Sequence, residues 1–217
     1  MSKALVFWGG WDGHDPKEGG EIVEQMLTED GYDVTRAEGT GILTEADLPS
    51  FDLIVPIVTM SSIKDEELKP LTEAVRAGTG LAGYHGGMGD SFRQATEYQF
   101  MVGGQWVAHP GDVIDYTVNV TRPDDPVMEG IEDFPYHSEQ YYLHTDPSNE
   151  VLATTTFTGE HAHWIDGVVM PVVWKRRYGK ARVFYSALGH KAHEFEVPQM
   201  KTILRRGMHW ATRQPGE

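Results

Sequence analysis

Gly80-Leu81-Ala82-Gly83-Tyr84-His85-Gly86-Gly87-Met88-Gly89 is a short apolar run that stops against a glycine cluster and presents one histidine. The small residues ahead of Tyr84 suit a buried strand with helices packed closely on it. The glycines after His85 permit backbone conformations that a residue with a Cβ resists. The stretch therefore reads as a parallel strand ending in a tight turn. In open parallel sheets the ligand crevice lies outside the carboxyl ends of the strands, which makes His85 a site candidate before any motif is considered. The competing reading is a plain turn in which His85 bonds a nearby carbonyl.

The same arrangement recurs on both sides of this stretch. Ala4 to Trp8 is a continuous apolar run that breaks into Gly9-Gly10-Trp11-Asp12-Gly13-His14, and Val183 to Leu188 runs into Gly189-His190. Leu53 to Val58 is a further buried strand, in which Pro56, having no N–H to donate, is expected near the strand end. Asp33 to Ala37 reads as a short strand. Ile22, Val23, Met26 and Leu27 mark a helix capped by Gly31. Ser62-Ile63-Lys64-Asp65 resembles a capping box, with Leu68, Leu71 and Val75 on one helical face; Pro70 moves the expected start of the regular helix to about residue 70. Residues 91–101 and the segment from Pro198, with Ile203, Leu204, Met208 and Ala211 on one face, complete the helices. This alternation predicts an α/β fold: one flavodoxin-like domain over residues 1–217, with a mostly parallel open sheet and helices on both faces.

At Asp112 the pattern changes. Ile114, Tyr116, Val118 and Val120 alternate with polar residues, so this strand has one wet face. With Tyr136 to Leu143 and Val151 to Phe157 it predicts an antiparallel β excursion over about 113–157. Residues 103–111, which carry His109, read as a loop.

Eighteen basic against 33 acidic residues leave a net charge of −15, which disfavours nucleic acid and anionic membranes as partners. Neutral sugars are compatible with the six Trp and nine Tyr, which offer flat apolar faces with polar edges. There is no cysteine, which excludes disulfides, thiolate metal sites and a Cys nucleophile. No signal-peptide core or membrane-length apolar run is present, so the expectation is a soluble cytoplasmic protein. A homo-oligomer is left open.

Three strand ends that each deliver a histidine, His14, His85 and His190, are a way to gather acid and base groups at one sheet edge. Glu139, among His137, Tyr141 and Tyr142, is the carboxylate to add, although the residues alone also allow a charge on a strand face. Two local pairs suggest a metal: His161-Ala162-His163, whose alternation on a strand would put both rings on one face, and His190-x-x-His193 beside Glu194. Each supplies only two ligands, and neither His161 nor His163 lies at a parallel-strand end. A divalent metal stays open as a cofactor, without a ligand set. Nucleotide is disfavoured, because no Gly-x-Gly-x-x-Gly follows the first strand and no P-loop lysine follows the loops. Ser91 and Ser186 lack a Gly-x-Ser-x-Gly setting.

The chain resembles the ThuA family, named for trehalose utilisation. The resemblance rests on five motifs in one order: Phe7-Trp8-Gly9-Gly10-Trp11 with His14; Gly83-Tyr84-His85-Gly86-Gly87; Gly103-Gly104-Gln105-Trp106 with His109-Pro110; Glu139-Gln140-Tyr141-Tyr142; and Pro171-Val172-Val173-Trp174 continuing through Gly179 to His190. Ala181 stands where the family pattern usually has glycine, and Ser138 where an acidic residue is expected. The resemblance implies a fold like that of class I glutamine amidotransferases, with the Gly83–Gly87 turn at the place of their nucleophile; lacking cysteine, this chain cannot run their thiol chemistry. It also implies sugar catabolism on a trehalose-like disaccharide or its keto derivative, by His/Glu acid–base chemistry in isomerisation, elimination or hydrolysis. The implied catalytic residues are His85, Glu139, His190 and His109, and the implied substrate-binding residues are Trp8, Trp11, His14, Tyr84, Gly86 and Tyr141. His85, on the sharpest turn, is the expected acid or base, because its glycines would let substrate approach the ring. The alternative is a non-catalytic carbohydrate-binding or interaction protein on the same fold.

Overall fold

The computed structural model describes residues 1–214. Its elements in chain order are β1 (Lys3–Gly10), α1 (Pro16–Glu29), β2 (Asp33–Glu38), α2 (Ile42–Glu45), β3 (Leu53–Thr59), α3 (Asp65–Ala77), β4 (Gly80–Tyr84), α4 (His85–Gly89), α5 (Thr96–Val102), β5 (Gly104–Ala108), β6 (Val113–Val120), β7 (Phe134–Glu139), β8 (Tyr142–Thr145), β9 (Glu150–Thr156), β10 (Val169–Tyr178), β11 (Ala181–Ser186) and α6 (Pro198–Ala211). Nine strands form one sheet in the order β2-β1-β3-β4-β11-β10-β9-β6-β7. The first five are parallel, in the doubly wound order whose ligand crevice lies at the carboxyl ends of the central strands. From β10 onward every pairing is antiparallel.

The continuous apolar runs became the central strands because both of their faces are covered. Every residue of β3 and β4 is buried. Helix α1 packs on β1, and α6 packs on β4 and β11. One hydrophobic core continues from Leu5, Val55 and Leu81 in the parallel half to Val118, Leu152 and Trp174 in the antiparallel half.

Six expectations about local structure are corrected. Pro56 lies inside β3, but the β3–β4 ladder ends at Ile54–Leu81, so beyond that point only one edge of β3 needs donors. Pro70 likewise lies inside α3, which starts at Asp65. Its cap is Lys64, whose N–H donates to Glu67 Oε2 at 2.9 Å, and burial of Leu71, Ala74 and Val75 holds the helix through the lost bond. Residues 104–108 form β5, which pairs with β8 in a separate two-stranded ribbon. Residues 136–143 are therefore two strands in different sheets, with Gln140 and Tyr141 at the changeover. The helix expected from residue 91 starts at Thr96. The antiparallel part extends past 157, since β10 pairs antiparallel with both neighbours.

Candidate functional site

Three loops at the carboxyl edge of the parallel strands each present a histidine. After β1 the chain makes a 3-10 turn over Asp12–His14, followed by Asp15 at φ +48°. Lys191 secures this turn: its Nζ donates to the Gly13 carbonyl at 2.5 Å and lies 3.5 Å from Asp15. His14 Nδ1 is 3.0 Å from Thr59 Oγ1 at the end of β3.

His85 sits where β4 turns into α4, at φ +45°, a left-handed conformation that a side-chain-bearing residue adopts only when its surroundings enforce it. The enforcement is visible. The Tyr185 hydroxyl donates to the His85 carbonyl at 3.0 Å, and His85 Nδ1 is 2.8 Å from the Ala187 carbonyl. His190 follows Gly189, whose φ of +101° excludes most side chains. The backbone N–H of His190 donates to Glu194 Oε2 at 3.2 Å.

Glu139 arrives from the antiparallel half, at the end of β7. Its Oε2 lies 3.1 Å from His85 Nε2, 3.4 Å from His190 Nδ1 and 3.7 Å from His14 Nε2, while its Oε1 lies 3.8 Å from His109 Nε2. The side chains of His14, His85, Glu139 and His190 are only 1–10% exposed. Burial pushes the His85 imidazole down to about 4, against the opposing pull of Glu139. Burial works against ionising Glu139, but the imidazoles of His14, His190 and His85 around it outweigh that and hold the carboxyl far below the usual range.

Aromatic rings surround the cluster. Tyr141 stacks on His85 with ring centroids 4.0 Å apart, and Trp11, about half exposed, meets the edge of His14 at 4.8 Å. His109 is 29% exposed, with Trp106 at 5.5 Å, and the Arg93 guanidinium lies 4.4 Å over the Trp106 ring. Arg93 also lines a groove of about 450 Å³ with Met60, Ser61, Ile63 and Phe92. Met60 directly follows Thr59, the partner of His14, so groove and cluster adjoin.

The structure thus brings His14, His85, His190 and Glu139 together, with His109, Tyr141 and Trp11 around them. Trp8 and Tyr84 go elsewhere: Trp8 packs on Gly20 of α1, and Tyr84 is buried against Phe195 and Gly19. Nor do the glycines after His85 open it to substrate. A Cβ on Gly86 would stand 2.6 Å from the His14 ring and one on Gly87 3.0 Å from Ile57, so both are small because the cluster is packed there. His161 and His163 are exposed and not on a strand, and His193 is exposed beside the buried Glu194.

Thr59, Arg93 and Tyr185 were not legible as site residues, since each reaches the cluster only by a contact distant in sequence, whereas Glu194, noted beside the His190-x-x-His193 pair, reaches His190 four residues away. Trp106 had a signal, its place in the Gly103–Trp106 motif. Glu194 is the most connected: its carboxyl group accepts from Tyr136 Oη at 2.5 Å, from Ser138 Oγ at 3.1 Å and from the His190 backbone.

The whole architecture has solved counterparts. A ThuA-like protein from Parabacteroides merdae superposes with a TM-score of 0.78 at 20% identity, over 99% of this chain and 92% of its own. One from Bacteroides uniformis gives 0.80 at 17% identity, over 97% and 91%. A cytoplasmic protein of Salmonella typhimurium LT2 gives 0.67 at 13% identity, over 97% of this chain and all of its own. No curated protein matches the sequence. No helix among the described residues is long and apolar enough to cross a membrane. The sequence itself matches the family described as trehalose utilisation over residues 3–211, and with that match spanning nearly the whole chain, the protein belongs to the ThuA family.

Proposed function

We propose that this chain is a cytoplasmic enzyme of sugar catabolism that acts on a trehalose-like disaccharide or its keto derivative by acid–base chemistry. The observation that carries this reading is the convergence of four imidazoles on the Glu139 carboxylate at the carboxyl edge of the parallel strands. Such a site holds and moves protons near neutral pH. His109 combines partial exposure with proximity to Glu139, so it is the group that meets substrate, while the buried histidines and Glu139 set the charge behind it. Trp11 and Trp106 are the faces for sugar rings. The groove beside Arg93 takes the second ring of a disaccharide.

A keto group acidifies the C–H next to it. The base takes that proton, the C–H electron pair forms a carbon–carbon double bond, and the carbonyl π pair moves onto oxygen. When the carbonyl re-forms, either a proton is delivered to the opposite face of the same carbon, giving the isomeric (epimeric) keto-sugar, or the bond to the glycosidic oxygen on the next carbon breaks and that oxygen takes a proton from the acid, giving elimination.

The test is incubation of the purified protein with trehalose and with 3-keto-trehalose in D2O, with and without added divalent metal, followed by mass spectrometry and NMR. Conversion of the keto-sugar, with deuterium at the carbon beside the keto group, is expected. Neither sugar changing and no deuterium entering would overturn the reading, and saturable sugar affinity alongside that result would assign a carbohydrate-binding protein instead.

A further inference from the structure

We propose that His14, His85, Glu139 and His190 form a binding site for one divalent transition-metal ion of the zinc class. Their donor atoms all lie within 4.8 Å of one another. The inference goes beyond the proton-transfer reading and does not depend on the sugar.

The first argument is a count of hydrogens. The Ala187 carbonyl can only accept, so the His85 Nδ1 facing it at 2.8 Å carries the hydrogen. A neutral His85 then presents the bare lone pair of Nε2 to a carboxylate oxygen 3.1 Å away. Lone pair facing lone pair is repulsive in a buried site unless a cation lies between them. His190 Nδ1 is also buried, has no hydrogen-bond partner, and sits 3.4 Å from the same oxygen.

The second argument is spacing. Tetrahedral ligands about 2.0–2.1 Å from a zinc ion are separated from each other by about 3.3 Å. The three imidazole nitrogens stand 3.1, 3.4 and 3.7 Å from Glu139 Oε2, which brackets that separation. A direct hydrogen-bond network would draw them to about 2.8 Å.

The third argument is the surroundings. Ligating histidines are oriented by a partner on their other ring nitrogen; here Ala187 O holds His85 and Thr59 Oγ1 holds His14. The backbone N–H of His190 is fixed by Glu194. Three imidazoles and one carboxylate, with no thiolate in the chain, suit zinc, cobalt or iron better than magnesium or calcium. His109, at the second Glu139 oxygen and partly exposed, is outside the ligand set and free for proton transfer.

The experiment uses full-length protein stripped with chelator and then titrated with zinc and with cobalt(II). Expected are about one ion per chain retained through gel filtration, the visible bands of four-coordinate cobalt, and a rise in melting temperature on metal addition. Glu139→Gln, which keeps shape and volume, and His190→Ala should each weaken uptake at least about 10-fold. The double variant His161→Ala/His163→Ala should bind as the wild type does. Because His85→Ala removes a fully buried ring and so threatens the fold itself, the conservative Glu139→Gln carries the decision. No stoichiometric uptake by the wild type, or uptake that survives in Glu139→Gln and vanishes in the His161/His163 variant, would overturn the site. Metal bound without sugar turnover would remove the sugar chemistry and leave the site standing; turnover by stripped protein that takes up no metal would do the reverse.

Discussion

Glu194→Ala is expected to be among the most damaging single substitutions outside the imidazole cluster. The Glu194 side chain is buried and accepts from the Tyr136 hydroxyl, the Ser138 hydroxyl and the His190 backbone N–H, and the same Tyr136 oxygen accepts from the Gly189 N–H at 3.2 Å. Truncation leaves three buried donors without their acceptor. At about 1–3 kcal/mol for each unmet donor, and some relief by rotation of the two hydroxyls, the loss comes to about 3–6 kcal/mol. For a chain of this length each kcal/mol lowers the melting temperature by about 2–4 °C, so a fall of about 6–24 °C is expected. Glu194→Gln keeps the volume and one acceptor oxygen and should cost about 1–3 kcal/mol. Urea unfolding followed by tryptophan fluorescence, with thermal melts by circular dichroism, measures both. A loss below about 1 kcal/mol in the alanine variant, or equal losses in the two, would refute the reasoning that this carboxyl group anchors the His190 loop.

Three further outcomes are expected. His109→Ala should lower turnover of the keto-sugar about 10²-fold while leaving metal uptake intact, and Glu139→Gln should lower both; steady-state kinetics beside metal analysis separates them. Arg93→Ala, which opens the groove beside Trp106, should raise KM for the disaccharide about 10-fold with little change in kcat, whereas an equal fall in kcat would contradict a role in binding alone. Asp30 is held below its ordinary value of 3.8 by the Arg205 hydrogen bonds, against burial and with help from His209. A lowered acid stabilises the fold above its unfolded value and loses that contribution as pH falls through the folded one. Wild type should therefore exceed Asp30→Asn in stability at pH 7, with the gap closing below pH 3.8; a gap that holds steady in urea titrations across that range would argue against it.

The parallel half was legible because its strands are buried on both faces, and double burial leaves an uninterrupted apolar run in the sequence, as in Leu53 to Val58 or Ala4 to Phe7. The three strand-end histidines followed from that reading. Glu139 was less legible: its aromatic and histidine neighbours made it the carboxylate to add, but its alternating strand would look the same had it faced water. β5 escaped detection because it is half exposed and pairs only with the short β8. Tyr84 and Trp8 were misplaced for a different reason. An aromatic ring at a strand end can turn toward the crevice or toward a helix, and that choice was set by the space that Gly19 and Gly20 leave on α1. Thr59 and Arg93 depend on contacts that no local pattern encodes.

The meeting of Glu139 with the histidines also bears on the order in which the chain acquires its native contacts. Glu139 and His85 are 54 residues apart, His85 and Ala187 102, and Lys191 reaches Gly13 across 178. Closing such loops costs entropy that is recovered only after both halves of the sheet are in place, so these contacts belong on the native side of the folding barrier. Replacements among them should leave the refolding rate nearly untouched and appear as faster unfolding. A ligand or ion held by the four side chains would act on the same limb, lengthening the lifetime of the folded state without hastening its formation.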